Sequence, residues 1–200
     1  MIKWYVKFGL GLLVAGVLVS LAFLLVEYPK NHPDKMLEWE EKAANYFEKF
    51  TLPIKVARLS AREPDTQVLV PVYGLPVSGI TDTWEAPRGE GERVHQGQDI
   101  FAESGTPIFS GTYGYVHEIG VGKIAGNYVY VLGAGGRRYY YAHLERFANN
   151  LHVGQEVDTD TVTGFVGNTG NAINTPPHLH FEINLPDTTP INPLPFLVNR

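Results

Sequence analysis

The longest apolar run of the chain lies near its N-terminus. The 19 residues from Phe8 to Val26 include no charged side chain and are rich in Leu and Val. A helix of this length spans roughly 28 Å, close to the hydrocarbon thickness of a bilayer. The run does not end in the small residues of a signal-peptide cleavage site, so it predicts an uncleaved transmembrane anchor. Lys3 and Lys7 before it give a slight positive-inside bias, which places the rest of the chain outside the cytoplasm.

A pattern with helical spacing follows this run. Residues 27–34 contain two prolines and predict a linker. Between Lys35 and Phe50 apolar residues recur three or four positions apart, with charged residues between them. This pattern predicts one amphipathic helix with Asp34 as its N-cap. We expect a stalk that packs on the domain or on a partner protein; a helix that covers the functional cleft is the alternative interpretation.

From about residue 67 the pattern changes to short strands and turns. Asn127–Leu132 alternates, residues 133–136 form a glycine-rich turn and Arg137–Leu144 returns, which predicts a β-hairpin. Val162–Val166 and His178–Asn184 predict further strands.

No helix is expected after Phe50, so the predicted fold class is all-β: a compact antiparallel β-sheet or sandwich-like domain, preceded by the transmembrane helix and the short amphipathic helix. We expect three parts. A cytoplasmic stub and the anchor occupy residues 1–26, the linker and amphipathic helix occupy residues 27–66, and the β domain occupies residues 67–200.

Composition and charge narrow the possible functions. A net charge of −5 without any Lys/Arg-rich run argues against a nucleic-acid partner. Because the chain has no cysteine, any metal site must use histidine and carboxylate ligands.

Three short segments contain histidines, and one of them an aspartate, that are candidate metal ligands. In the first, an ideal strand would separate His95 and Asp99 by roughly 13 Å. Two ligands of one metal must lie closer than that, so we expect the chain to bend between them, at Gly97. In the second, His178 and His180 share one face of a strand whose other face is apolar.

The third segment is the strand that ends in His143. Its alternation places Tyr139, Tyr141 and His143 on one face, and we expect the two tyrosines to line a groove for an extended peptide. Taken together, the three segments supply two histidines and an aspartate as ligands and leave a fourth tetrahedral position open for water. An open position is typical of a catalytic zinc site, whereas a structural zinc site is closed by four ligands.

The motifs that these segments form resemble those of the M23 family of metallopeptidases, the lysostaphin and LytM-like cell-wall endopeptidases. The matching motifs are His95-x-Gly97-x-Asp99, Tyr141-Ala142-His143-Leu144, His178-Leu179-His180 and the connecting stretches Gly105-Thr106-Pro107 and Gly167-Asn168-Thr169-Gly170. The resemblance extends from about Val77 to Leu197. It implies that His95, Asp99 and His180 are zinc ligands and that His143 and His178 are the catalytic pair, with His178 favoured as the base because it adjoins His180.

Two residues depart from the family pattern, and three histidines match none of its motifs. Gln98 stands where an aliphatic residue is common, and Glu85 follows Trp84 where a glycine is common. Neither is a ligand, so we expect both to affect only local packing or groove shape. We assign the unmatched histidines to the linker or the surface: His32, His117 and His152.

The resemblance implies a zinc-dependent endopeptidase that hydrolyses cross-links or stem peptides of bacterial peptidoglycan. The predicted anchor agrees, because it would hold the domain on the periplasmic side of the bacterial inner membrane, where that polymer lies. The alternatives are a non-catalytic relative that activates another wall hydrolase as a regulatory partner, the same chemistry on a secreted or pilin-like protein, and a histidine phosphocarrier. The cytosolic chemistry of a phosphocarrier disagrees with the anchor.

Overall fold

The computed structural model describes Lys35, residues 51–88, Gly91 and residues 93–200. The predicted anchor at Phe8–Val26 and nearly all of the predicted amphipathic helix lie outside the described residues. Within the described part of the chain, no helix is long and apolar enough to cross a membrane.

Strands dominate the described residues, and most of them are short. The strands are β1 (Val68–Leu69), β2 (Pro87–Arg88), β3 (Arg93–Val94), β4 (Gln98–Phe101), β5 (Pro107–Phe109), β6 (Gly114–Gly122), β7 (Gly126–Gly133), β8 (Arg138–Leu144), β9 (Arg146–Phe147), β10 (Glu156–Val157), β11 (Val162–Phe165), β12 (His178–Asn184), β13 (Pro190–Ile191) and β14 (Leu197–Val198). Single 3-10 turns lie at Val77–Gly79, Ala134–Gly136, Gly170–Ala172 and Leu194–Phe196.

One antiparallel sheet organises the domain. Its strand order is β10-β6-β7-β8-β12-β13, and β4 also pairs with β12. A three-stranded sheet, β5-β11-β9, and two strand pairs, β1-β14 and β2-β3, complete the described fold. The expectation of a mostly antiparallel β domain is therefore confirmed.

The predicted hairpin is present and forms the centre of the main sheet. β7 and β8 pair in antiparallel fashion, with Val131 opposite Tyr139. The connecting turn is the 3-10 segment Ala134–Gly136, in which Gly135 adopts a φ of 66°. This left-handed conformation favours glycine because a side chain there meets steric strain.

The buried core lies on one face of the main sheet. Alternation along β12 turns Leu179, Phe181 and Ile183 inward, and all three are fully buried, as predicted. Val68 of β1 and Val70, which follows that strand, pack in the same cluster. The opposite face of β12 is left to polar side chains.

The expectation that no helix follows Phe50 is wrong, because residues 51–60 are helical. Leu52, Val56 and Leu59 recur at i, i+4 and i+7, and this stripe packs on Tyr115 and Ala134 of the β domain. The helical residues from Leu52 onward belong to the same compact unit as the strands.

The helix should contribute to the stability of the β domain. Replacing buried Leu59 by Ala in the full-length protein removes the centre of this contact, so we expect a loss of about 2–3 kcal/mol in the free energy of unfolding. Ile54 is 56% exposed, and Ile54→Ala is the matched control, with an expected change within about 0.5 kcal/mol. Urea titration followed by tyrosine and tryptophan fluorescence measures both, and equal effects would contradict the packing described.

Candidate metal centre

The three predicted ligands meet at one point of the polar face. The Nε2 atom of His95 lies 2.9 Å from Asp99 Oδ1 and 2.9 Å from His180 Nδ1, and His180 Nδ1 lies 3.1 Å from Asp99 Oδ1. Ligand atoms of a tetrahedral zinc ion, at about 2.0–2.2 Å from the metal, are about 3.3 Å apart. The two nitrogens and one oxygen therefore fit a zinc ion with only small adjustments.

Strand register and one glycine produce this convergence. Asp99 of β4 lies directly opposite His180 of β12, and His95 reaches them because the chain bends at Gly97, as predicted. A Cβ atom at residue 97 would lie 2.7 Å from His180 Cε1 and 2.7 Å from the Phe181 carbonyl oxygen. The glycine is thus required for the close approach of the His180 ring as well as for the bend.

Hydrogen bonds on the outer side of the ligands select their tautomers. The Nδ1 atom of His95 lies 2.7 Å from the carbonyl oxygen of Thr83, and His180 Nε2 lies 2.8 Å from Glu182 Oε1. Because a carbonyl or carboxylate oxygen can only accept, both of these nitrogens carry hydrogen. When zinc is bound, the opposite nitrogens, His95 Nε2 and His180 Nδ1, would present lone pairs to it. In the metal-free protein these two nitrogens lie beside Asp99 Oδ1 and donate to it when they are protonated.

Thr83 and Glu182 were missed by the sequence analysis. Glu182 had a usable signal, since it lies two residues after His180 on the same strand and so shares its face. Thr83 had none, because its contact with His95 is made by a backbone carbonyl.

The two histidines predicted as the catalytic pair lie in the same cleft. The ring centroids of His143 and His178 are 5.1 Å apart. Their Nδ1 atoms each lie 2.9 Å from a backbone carbonyl oxygen, of Thr169 and Pro176 respectively. Both rings thus donate through Nδ1 and leave Nε2 free to accept a proton, and His178 Nε2 lies 3.8 Å from Asp99 Oδ1.

The prediction that Tyr139 and Tyr141 line a groove beside His143 is wrong. Both tyrosines are fully buried in the core, while Tyr140 and Ala142 line the cleft. The pairing of β7 with β8 shifts by one residue near the end of β8, and His143 has a φ of 63°. This irregularity reverses the alternation and turns His143 onto the face opposite to Tyr141.

An arginine that the sequence analysis did not single out completes the surroundings of Asp99. The guanidinium of Arg88 donates to Asp99 Oδ2, while Oδ1 faces the two histidine ligands. Burial opposes ionisation of Asp99, but hydrogen bonds from His180 and His95 outweigh it and hold the pKa of the carboxyl below its ordinary value.

The imidazoles differ in basicity for definite physical reasons. Burial lowers the pKa of His180, but hydrogen bonds to Asp99 and Glu182 more than offset this and raise it to about 9. For His143, burial and the neighbouring His180 and His178 lower the pKa to about 4. At neutral pH His143 is therefore neutral and able to accept a proton, while the metal-free ligand cluster holds a proton on His180.

The structure also places Glu85, which departs from the family pattern, and two of the three histidines that match no motif. Glu85 adopts a φ of 57°, which explains why a glycine is common at this position. His117 and His152 are exposed, in agreement with their assignment to the surface, and His32 lies outside the described residues.

Comparison with known proteins gives the class of this fold and site. The family model of Peptidase family M23 matches residues 93–193, which is half of the chain and includes all five predicted site residues. The chain belongs to this family, and the resemblance noted in its sequence is confirmed.

Individual relatives cover the same region. The chain is 38% identical over 105 residues to the L-Ala–D-Glu endopeptidase of Bacillus subtilis. The matched region covers 50% of this chain and 32% of the relative. It is 34% identical over 116 residues to lysostaphin of Staphylococcus simulans, covering 56% of this chain and 23% of the relative. The chain thus spans less than a third of the length of these two proteins.

Solved structures agree with the fold. The catalytic domain of the antimicrobial peptidase lysostaphin from Staphylococcus simulans superposes with a TM-score of 0.52 and 29% sequence identity, covering 60% of this chain and 93% of that domain. The catalytic domain of the prophage-encoded M23 protein EnpA from Enterococcus faecalis gives a TM-score of 0.50 with 27% identity, covering 57% of this chain and 87% of that domain.

The pKa of His180 predicts how zinc affinity depends on pH. With a pKa of about 9, His180 holds a proton at pH 7 that zinc must displace, so the affinity should rise by up to about tenfold per pH unit between pH 6 and 9 and level off above it. Calorimetric titration of the metal-free protein in buffers of different ionisation enthalpy should show about one proton released from His180 at pH 7. An affinity that stays constant over this range would contradict the arrangement of His180 between two carboxylates.

Proposed function

We propose that this protein is a zinc-dependent endopeptidase that hydrolyses peptide bonds of bacterial peptidoglycan. The observation that carries the proposal is the convergence of His95 Nε2, Asp99 Oδ1 and His180 Nδ1 in one cleft with the accepting nitrogens of His143 and His178. Three metal ligands beside two imidazoles whose Nε2 atoms can accept a proton form the combination that metal-assisted hydrolysis requires.

The names of relatives support peptidoglycan as the substrate. Similar proteins include the peptidoglycan DD-endopeptidase ShyC of Vibrio cholerae, 34% identical over 90 residues, besides the L-Ala–D-Glu endopeptidase of Bacillus subtilis. These enzymes are named for different bonds, so the family resemblance supports the polymer and leaves the cleaved bond to experiment.

The side chains of the cleft suggest how the reaction proceeds. His95, Asp99 and His180 would hold the zinc ion, which when bound would supply a Lewis acid able to polarise a carbonyl and make water more acidic. The Nε2 atom of His143 or His178 accepts the proton of the attacking water, and the other ring stabilises charge that develops on the carbonyl oxygen. We favour His178 as the base because it adjoins the ligand His180.

The cleft has room for a peptide. It has a volume of about 270 Å³, and its lining includes Arg88, Val94, Ile124 and Thr175 besides the five site residues. A peptide bound in this cleft would therefore lie close to the ligands.

A non-catalytic or regulatory role is less well supported. A relative that only binds peptidoglycan would be free to lose ligands or the proton-accepting pair, whereas this chain keeps all five residues in one cleft. The geometry therefore favours catalysis.

We also propose that the protein is a single-pass protein of the bacterial inner membrane with this domain on the periplasmic side. The apolar run Phe8–Val26 and the lysines that precede it support this location. The location would place the cleft beside its substrate.

Purified peptidoglycan tests the proposed activity directly. Full-length protein should release soluble muropeptides, and mass spectrometry of the new termini would identify the cleaved bond. Release should stop with a metal chelator and return with added zinc. Absence of any new terminus with a zinc-loaded protein would overturn the proposal.

Substitution of the two proton acceptors should separate catalysis from metal binding. We expect His143→Ala and His178→Ala each to keep bound zinc but to slow turnover by about 10²–10⁴-fold, the usual range for general acid–base groups. His180→Ala should instead lose the metal.

The control for these variants is exposed His152, whose substitution by Ala should leave both properties unchanged. Zinc content by elemental analysis and the rate of muropeptide release measure the two effects. Near-normal hydrolysis by both His143→Ala and His178→Ala would contradict their assignment.

A further inference from the structure

We propose that Gln98 is a positioning residue that holds two of the three metal ligands in place through the segment Thr81–Thr83. The proposal rests on the zinc-binding role proposed above for His95 and Asp99.

The side-chain amide of Gln98 joins β4 to this segment. Gln98 is fully buried and lies on the face of β4 opposite to its neighbour Asp99. Its Nε2 group donates to the carbonyl oxygen of Thr81, and its Oε1 atom accepts from the backbone N–H of Thr83 at 3.4 Å. An amide offers a donor and an acceptor together, so one side chain satisfies both backbone groups.

Thr83 in turn contacts both ligands with two separate atoms. Its carbonyl oxygen accepts from His95 Nδ1 at 2.7 Å, and its hydroxyl oxygen accepts from the backbone N–H of Asp99 at 2.9 Å. The first contact selects the tautomer of His95, and the second holds the start of β4 against Thr83. Movement of Thr83 would therefore disturb both ligands.

The far end of the same loop is bound to His95 by its backbone. The N–H of Glu85 donates to the carbonyl oxygen of His95 at 2.9 Å. The N–H of His95 donates to the carbonyl oxygen of Ala86 at 3.0 Å. Residues 81–86 are thus held at one end by these backbone bonds and at the other by Gln98.

Residue 98 could be buried without any hydrogen-bonding group. An aliphatic side chain, common at this position in the family, would fill the same buried space but leave the carbonyl of Thr81 and the N–H of Thr83 without the amide partner. Thr81 is exposed and Thr83 is half-buried, so water could take the place of the amide, but the segment would lose its direct attachment to β4 and could move relative to the ligands. Gln98 therefore adds two hydrogen bonds to the packing at this position, and they link β4 to the segment that contacts the ligands.

Zinc affinity of the full-length protein tests the proposal. Gln98→Met keeps the size of the side chain and removes both hydrogen bonds, and we expect it to weaken zinc binding by about 10–100-fold, the usual effect of losing an outer-shell contact. Competition with a chelator of known zinc affinity measures this without any assay of catalysis. The absorption spectrum of the cobalt-substituted protein should also change, because it reports the ligand geometry.

The matched control is Thr163→Val in the three-stranded sheet. It removes another fully buried hydrogen bond, which the Thr163 hydroxyl donates to the Ile108 carbonyl oxygen at 3.2 Å. It should lower the melting temperature of the metal-free protein yet leave zinc affinity within twofold of wild type. If Gln98→Met behaves like this control, Gln98 is only a structural residue and the proposal is overturned.

Thr83 provides an independent pair of variants should Gln98→Met not fold. Thr83→Val removes the hydroxyl contact to Asp99 and should weaken zinc binding, whereas Thr83→Ser retains the hydroxyl and should restore it. Equal zinc affinity in both would overturn the proposal. A wild-type protein that binds zinc without cleaving peptidoglycan would overturn the proposed function alone.

Discussion

The pairing of β12 with β4 on one side and with β8 on the other is the constraint on which the site depends. This register places Asp99, His180 and Ala142 in one row across three strands. Neighbouring strands lie about 4.8 Å apart, so the carboxylate and the imidazole at adjacent positions necessarily meet. Because alternate residues share a face, His178 enters the same cleft while Leu179 anchors the strand in the core. A slip of one residue would bury the histidines and expose the apolar side chains.

Oxygen atoms that accept hydrogen bonds from the imidazoles determine which ring nitrogen of each histidine carries hydrogen. Each of the four site histidines donates one ring N–H to a carbonyl or carboxylate oxygen, and the other nitrogen faces the cleft. Three of these acceptors are backbone carbonyls, in Thr83, Thr169 and Pro176. The irregular loops that carry them therefore matter as much as the strands that carry the ligands, because the tautomer decides which nitrogen can bind metal or accept a proton.

Two residues of the site region hold backbone conformations that cost energy. His143 and Glu85 both lie in the left-handed region, where side chains other than glycine are strained. Each is held by backbone hydrogen bonds: the N–H of His143 donates to the Ala125 carbonyl oxygen, and that of Glu85 donates to the carbonyl oxygen of His95. Such strain persists only where the surroundings determine the conformation. Here it aims His143 at the cleft and closes the loop beside His95.

The sequence by itself determined the hairpin, the inward and outward faces of β12 and the set of candidate ligands, because regular strands obey a period of two and the chemistry belongs to the side chains. Tertiary structure alone decided the position of Tyr139 and Tyr141, since one irregularity in strand pairing reverses that period. It also decided the helical residues 51–60, where Pro53, which lacks an amide hydrogen, obscures the helical pattern. The contacts of Thr83 and Arg88 with the ligands likewise needed the fold. A backbone carbonyl is common to every residue, and only folding determines which one meets an imidazole.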